Sequence, residues 1–125
     1  MIDESQSPSP VAKDANGTSQ ALLELSKFRG VEFILACDGP EQFQSWGVEN
    51  AKEFSAWTRK TMDRFHKLGE TLHLGQLRQV EGATANRHIT IVCRGAKEIC
   101  VGLQRSLSPD QVRQTMKNIL AKWAF

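Results

Sequence analysis

The stretch that decides the fold class is residues 30–39, which read Gly-Val-Glu-Phe-Ile-Leu-Ala-Cys-Asp-Gly. Residues 31–37 have the length of a β-strand, and both of its faces are apolar, one with Ile34 and Ala36 and the other with Phe33 and Leu35. A strand with two apolar faces needs cover on both sides, so it predicts a central strand of a layered fold. The Asp38-Gly39-Pro40 sequence that follows is typical of a turn.

The segment before this strand predicts a short helix and a tail. Gly30 ends the helix, Thr18 or Ser19 can cap it, and its apolar residues at helical spacing are Ala21, Leu22, Leu25 and Phe28. Residues 1–17 have no aromatic side chain and few aliphatic ones, so they cannot bury enough surface to offset the entropy lost on ordering. We therefore expect a disordered tail over residues 1–17 and one folded domain over residues 18–125.

Beyond the turn, residues 43–46 predict a second strand that ends at Gly47, and residues 51–72 predict the longest helix. Asn50 and Glu53 match a capping box at the start of this helix. Its apolar stripe consists of Phe54, Trp57, Thr58, Thr61, Met62, Phe65, Leu68 and Leu72. Its opposite, charged side consists of Lys52, Arg59, Lys60, Asp63, Lys67 and Glu70.

The C-terminal part of the chain predicts three strands and a helix. Residues 76–81 are too polar for the middle of a sheet, so we expect a strand at an edge. Residues 88–93 and 98–103 are rich in β-branched and apolar side chains and flank a tight turn, which predicts a hairpin. Ser108, Pro109 and Gln111 mark the start of a last helix. Its buried face is expected to hold Val112, Met116, Ile119, Leu120 and Trp123.

The element order is therefore helix, two strands, helix, three strands, helix. Because consecutive strands are close in sequence, the sheet should be antiparallel, with helices on both faces, in the α+β class. The net charge of +2 lacks the strong basic bias of a nucleic-acid-binding protein. No apolar run approaches the roughly 20 residues of a membrane-spanning helix. We therefore expect neither nucleic-acid binding nor membrane insertion.

This arrangement resembles the Roadblock family of dynein light chains, in a prokaryotic-type form. The resemblance covers residues 21–125 and is carried by Leu25, Gly30-Val31 before an apolar strand, the Asp38-Gly39 turn, a second strand ending in Gly47, and the long amphipathic helix. It implies a five-stranded antiparallel sheet with the long helix on one face and the two terminal helices on the other. It also implies a homodimer with the long helices side by side and the middle strands joined edge to edge. Members of the family bind motor subunits, bind and regulate Ras-like small GTPases, or serve as scaffolds, and they are not known for catalysis.

Residues that could carry out chemistry are few. The sequence has no glycine-rich motif for binding nucleotide phosphates. His66, Glu70 and His73 lie near one side of the long helix, but the two histidines are two turns apart, too far to share a metal ion without another element. His88 could pair with a cysteine, although thiols in apolar strands are usually inert. We predict no enzyme activity, no catalytic residue, no cofactor and no metal site.

The three cysteines indicate a reducing compartment. Their odd number argues against a disulfide framework, and Cys37, Cys93 and Cys100 all have apolar neighbours in sequence. We expect three buried, reduced thiols in a cytoplasmic protein.

Two classes of function remain open. The first is a non-catalytic homodimeric interaction protein, a scaffold or regulator of a cytoplasmic partner such as a Ras-like small GTPase or a motor complex. The alternative is a small-ligand-binding sensory or regulatory module, since a sheet with helices can enclose a pocket. The dimer interface is expected to hold Trp57, Thr61, Arg64 and Leu68 of the long helix, and Gln76, Leu77, Arg78, Gln79, Val80 and Glu81 of the polar strand. Two simpler readings are that Trp57 packs on its own sheet and that Arg78 and Glu81 protect a solvated edge.

Overall fold

The computed structural model describes residues 20–39 and 42–123. In chain order its elements are α1 (Gln20–Leu25), β1 (Val31–Asp38), β2 (Phe43–Trp46), α2 (Ala51–Thr71), β3 (Gln79–Ala83), β4 (Arg87–Arg94), β5 (Lys97–Gln104) and α3 (Pro109–Lys122). This confirms the predicted element order. The predicted cap at Thr18 or Ser19 and the predicted tail over residues 1–17 lie outside the described residues.

The strands form one five-stranded sheet in the order β2-β1-β5-β4-β3, and every neighbouring pair is antiparallel. β5 occupies the centre, because its partners are β1 on one side and β4 on the other. The two edges are β2 and β3. The predicted antiparallel sheet and the predicted edge position of the polar strand are therefore both confirmed.

Each face of the sheet buries its own apolar cluster, as the alternation of side chains along a strand requires. The cluster beneath α1 and α3 contains Leu22, Leu25, Ile34, Val92, Ile99, Val101, Leu103, Leu107, Val112, Met116 and Ile119. The cluster beneath α2 contains Phe33, Leu35, Cys37, Met62, Ile91, Cys93 and Cys100. Ile34 and its neighbour Leu35 thus belong to opposite clusters, so β1 is covered on both faces as predicted.

The edge strand begins later than the sequence indicated. The prediction placed it over residues 76–81, whereas β3 runs over Gln79–Ala83. The chain leaves α2 in the helix layer and has to descend to the sheet, and residues 72–78 make this crossing. The carbonyl oxygen of Arg78 accepts a hydrogen bond from the amide of Cys93 at 2.8 Å, so ladder-like pairing starts only there.

Helix ends also differ from the prediction in two places. α1 ends at Leu25 instead of reaching Phe28, because the chain tightens into turns in which the amide of Phe28 donates to the carbonyl of Leu25 at 3.2 Å. Asn50 precedes α2 but its side chain makes no capping hydrogen bond, so the predicted capping box with Glu53 does not form.

The capping box at the start of α3 does form. The amide of Gln111 donates to Oγ of Ser108 at 3.2 Å, and the amide of Ser108 donates to Oε1 of Gln111 at 2.8 Å. Val112, Met116 and Ile119 are then buried against the sheet, while Leu120 and Trp123 pack at the margin of the cluster. The capping box thus provides acceptors for the amides of Ser108 and Gln111, which have no acceptor within the helix.

Replacing Ser108 with alanine should destabilise the fold because the Gln111 amide loses its acceptor. We expect Ser108→Ala to lower the free energy of unfolding by about 1 kcal/mol. Urea denaturation followed by circular dichroism measures this. Ser106→Ala is the matched control, since Ser106 is exposed just before the helix, and it should leave the midpoint unchanged. Equal midpoints for the two variants would show that the capping box does not contribute.

Candidate protein-binding interface

Most of the residues that α2 buries have small side chains. In this 21-residue helix the buried residues are Ser55, Thr58, Met62 and Gly69. Ser55 contacts Cys37 of β1, and the long apolar side chains of α2 that pack into the cluster beneath the helix are Met62 and the partly buried Phe54. The contact between α2 and the sheet therefore uses a narrow strip of the helix surface.

The larger apolar residues of the predicted stripe remain in contact with solvent. The exposed fraction is 47% for Trp57, 38% for Phe65, 50% for Leu68 and 54% for Leu72, and it reaches 73% for Leu74 just beyond the helix. Single exposed apolar residues are normal, but a run along one side of a helix is typical of an interaction surface. We call these five residues the α2 apolar patch. Phe65, Leu72 and Leu74 were not among the predicted interface residues, although the helical periodicity already grouped Phe65 and Leu72 with Trp57.

The other predicted interface residues are also accessible. On α2, Arg64 is exposed and Thr61 is half-buried. Near the edge strand the exposed residues are Gln76, Arg78, Gln79 and Glu81, whereas Leu77 and Val80 are half-buried against the α2-side cluster. Only Gln79, Val80 and Glu81 of that predicted strand belong to β3.

β3 presents an open edge. Within the described residues it pairs with β4 alone, from Gln79 opposite Val92 to Ala83 opposite His88. Its polar side chains are Gln79 and Glu81, and Nε2 of Gln79 donates to Oε2 of Glu81 at 2.6 Å. An open edge offers unpaired backbone groups to another strand unless polar side chains discourage pairing.

Trp57 lies flat against a neighbouring ring. Its ring and that of Phe54 are 5.4 Å apart between centroids and only 13° from parallel. Phe54 in turn meets the edge of Phe33 at 5.3 Å and 75°. One face of the indole is thus covered by its own chain, and nearly half of the residue's surface stays available to a partner.

Arg59 makes a contact that the sequence did not predict. Arg59 belongs to the charged side of the helix, and its Nη1 lies 3.7 Å from Oε1 of the buried Glu98 on β5. Burial raises the pKa of the Glu98 carboxyl, and the nearby guanidinium of Arg59 partly offsets this effect. No short-range pattern in sequence connects residues so far apart, so this ion pair was missed.

The three cysteines are free and buried, as expected. In the sheet, Glu98 is directly opposite Cys37 of β1 and Cys93 of β4, and Sγ of Cys37 lies 3.4 Å from Oγ of Ser55. Burial raises the pKa of the Cys37 thiol, and it raises the pKa of Cys93 and of Cys100 to about 12 in each case. A thiol that stays protonated at neutral pH is a poor nucleophile.

His88 is on the other face of the sheet from these thiols. His88 lies on the α1 and α3 side of β4, since it pairs in register with Leu103 of that cluster, and its Nε2 lies 3.1 Å from the carbonyl oxygen of Leu107. Cys93 lies on the opposite face of the sheet, so His88 and the Cys93 thiol do not form the pair that the sequence left open.

His66, Glu70 and His73 line an open groove at the end of α2 together with Gln76 and Leu77. Among the described residues, no group of three or more His, Cys, Asp or Glu side chains is arranged to hold a metal ion. A neighbouring groove of about 400 Å³ shares His66 and continues along Arg78 and Gln79. These grooves are where the alternative, a small-ligand module, would bind its ligand. Together the two grooves extend from the end of α2 to the edge strand.

Solved structures similar to this arrangement of sheet and helices include two MglB proteins and a Roadblock/LC7 domain. MglB of Myxococcus xanthus superimposes with a TM-score of 0.69 at 14% identity, over 79% of this chain and 78% of that one. A Roadblock/LC7 domain from Streptomyces avermitilis gives 0.65 at 11% identity, over 78% of this chain and 85% of that one. The gliding protein MglB of Thermus thermophilus gives 0.68 at 9% identity, over 82% of each chain.

The chain has the Roadblock/LC7 fold. The fold expected from the resemblance is thereby confirmed. At the level of sequence, no family model and no curated protein matches the chain. No helix among the described residues combines the length and the apolar character needed to cross a membrane.

The buried thiols allow a direct test of this side of the sheet. We expect none of the three to react with iodoacetamide in the native protein at pH 8, and all three to react in urea, because native Cys93 and Cys100 ionise only near pH 12. Mass spectrometry counts the modified cysteines. Rapid native labelling at pH 8 would contradict the buried placement.

The raised pKa values also predict how the free energy of unfolding depends on pH. The folded-state pKa values of Cys93 and Cys100 exceed the ordinary value of 9.0, so above pH 9 the unfolded chain loses thiol protons that the folded protein keeps. The free energy of unfolding should therefore be unaffected by these thiols below pH 9 and should fall as pH rises toward 12.

Proposed function

We propose that this chain is a non-catalytic homodimer that acts as a scaffold or regulator of a cytoplasmic protein partner. The observation that carries the proposal is the α2 apolar patch, in which Trp57 and Leu68 on one side of α2 and Leu72 at its C-terminal cap are about half exposed. Removing such a surface from water stabilises a complex by roughly 25 cal/mol per Å² of apolar area. The fold by itself provides no cover for it among the described residues.

A second copy of the same chain is the occupant we infer for the patch. A two-fold axis brings identical surfaces together, so a patch that repeats along α2 can meet its own copy with apolar contacts throughout. The grooves beside His66 connect α2 to Gln76 and Gln79, which makes the helix and the edge strand parts of one continuous surface. Antiparallel pairing of β3 with its copy satisfies the open edge at the same time.

This dimer engages Trp57, Thr61, Arg64 and Leu68 from the helix and residues 76–81 from the edge. A tryptophan and an arginine near the centre of an interface are typical of residues that dominate binding energy. Interfaces of obligate dimers bury on the order of 2,000 Å² or more, which one helix and one strand from each copy can supply together.

We infer the class of partner from the resemblance to the Roadblock family, with support from the chemistry of the described residues. The thiols are protonated and buried, and the ring of His88 is hydrogen-bonded to a backbone carbonyl oxygen. None of these groups is placed to act on a substrate, which favours a binding role. The Roadblock resemblance favours a Ras-like small GTPase or a motor complex as partner, and two of the similar structures are MglB proteins, one of them described as a gliding protein. We therefore propose a partner of one of these two classes, acting in the cytoplasm.

The substitution Trp57→Asp tests the dimer. It introduces an unpaired charge into the apolar patch, and we expect association to weaken by about 2–4 kcal/mol. Light scattering across a concentration series should show a wild-type dimer and a Trp57→Asp monomer. Ala56→Asp is the matched control, because Ala56 is exposed on the charged side of the same helix, and it should remain a dimer.

Two results would contradict the dimer or its interface. A wild-type protein that stays monomeric at about 50 μM, where an association of roughly 6 kcal/mol is already detectable, removes the homodimer. A Trp57→Asp variant that dimerises like wild type leaves the dimer but removes Trp57 from its interface.

The partner class is tested by affinity capture from native lysate with wild-type protein and with Trp57→Asp. We expect mass spectrometry to identify a Ras-like GTPase or a motor subunit that the wild type retains and that Ala56→Asp retains equally. Purified candidate GTPase with GTP or GDP then shows whether binding depends on the nucleotide. Capture of neither class would contradict the proposed partner.

A further inference from the structure

The ring of Phe33 rests on a residue that has no side chain. Gly102 of β5 is the register partner of Phe33, and a Cβ atom added to it would lie closer than 3.0 Å to three ring atoms, Cδ2, Cε2 and Cζ. Gly102 is not among the glycines with positive φ, so its backbone conformation does not require glycine. The space taken by the Phe33 ring explains why glycine occurs here.

The backbone of Phe33 is confined as well. A Cβ on Gly47 would lie 2.6 Å from the carbonyl oxygen of Glu32 and 3.3 Å from Cα of Phe33. Gly47 also has a φ of +76°, a conformation that other residues adopt at a cost. The two glycines therefore leave the space that Phe33 occupies, Gly47 beside its backbone and Gly102 beneath its ring.

From this position a series of contacts leads to the surface. The guanidinium of Arg87 lies 5.4 Å from the centroid of the Phe33 ring, and Arg87 is itself 3.5 Å from the carboxylate of Glu32. Phe33 meets Phe54 edge to face, and Phe54 stacks on Trp57. The indole that reaches solvent is thus supported by a continuous column of aromatic rings that starts at the buried centre of the sheet.

We infer that Gly102 is a positioning residue for Trp57: by leaving room for Phe33, it sets the place of Phe54 and so the orientation in which the indole meets a partner. This inference rests on the proposed function, because Trp57 is the residue placed at the proposed dimer interface. A side chain that is already held in its bound orientation loses less entropy on association than a mobile one. Gly102 acts on binding from inside the protein, without touching the partner.

Gly102→Ala separates this role from general stability. The new methyl group displaces the Phe33 ring, so Phe54 loses its edge contact and Trp57 loses the surface on which it stacks. Val101→Ala is the matched control, because Val101 is the adjacent residue of β5, is fully buried, and belongs to the cluster on the opposite face. It weakens the fold without touching the aromatic column.

The first measurement reads Trp57 directly and does not need a dimer. Trp46→Phe and Trp123→Phe leave Trp57 as the single tryptophan of the described residues. At concentrations low enough to give monomers, time-resolved fluorescence anisotropy should report a slowly moving indole. Gly102→Ala should add a fast component to the decay, and Val101→Ala should not.

The second measurement is the dimer dissociation constant. We expect Gly102→Ala to weaken dimerisation by about tenfold or more, and Val101→Ala to change it by less than about threefold. In a Trp57→Ala background, Gly102→Ala should have no further effect, because a residue that acts through Trp57 loses its influence when Trp57 is absent. Phe33→Leu keeps Gly102 and its space but removes the ring, so it should reproduce the loss if Gly102→Ala fails to fold.

The outcomes distinguish the two proposals. A monomeric wild type overturns the homodimer, and the anisotropy decay still decides whether Gly102 orients Trp57. A wild-type dimer whose dissociation constant is unchanged by both Gly102→Ala and Phe33→Leu overturns the positioning role and leaves the dimer standing. Additive effects of Gly102→Ala and Trp57→Ala would also overturn it.

Discussion

The residues that α2 buries are Ser55, Thr58, Met62 and Gly69, and only Met62 among them has a long side chain. Protein interiors are packed at high density, and of the larger apolar side chains of α2 it is Met62 and part of Phe54 that fill the space against the sheet. Phe65, Leu68 and Leu72 remain exposed. The apolar patch is therefore the part of the apolar stripe of α2 that the sheet leaves uncovered.

Polar groups also lie at the contact between α2 and the face of the sheet that it covers. Arg59 of α2 and Glu98 of β5 form an ion pair at the margin of the strip, with Cys37 and Cys93 on the strands beside Glu98. A buried ion pair is weak evidence for stability, because the loss of hydration can exceed the attraction between the charges. It does define one arrangement of helix and sheet, since a sliding α2 would leave the Glu98 carboxylate buried without a partner. A surface displayed by such a helix is held in a fixed position relative to the β3 edge.

A second set of contacts connects the interior of the sheet to the surface, through three aromatic rings. Phe33 packs closely against Gly47 and Gly102, and Phe54 lies in contact with both Phe33 and Trp57. The glycine beneath Phe33 lies in the central strand, away from the exposed indole, so the geometry of the proposed interface depends on the core. Phe33 and Phe54 therefore connect the interior of the sheet to the exposed Trp57.

Local patterns in the sequence determined the element order, the two apolar faces of β1, the capping box at Ser108 and the edge position of a polar strand, because each depends on residues a few positions apart. They also grouped Trp57 with Leu68 on one side of a helix, although periodicity could not say how much of that side the sheet would cover. Tertiary structure alone decided that small residues of α2 face the sheet, that β3 starts at Gln79, that Arg59 pairs with Glu98, and that Phe33 lies over Gly102. These features join residues distant in sequence, and they follow from packing density and from the path of the chain between layers, which no local pattern contains.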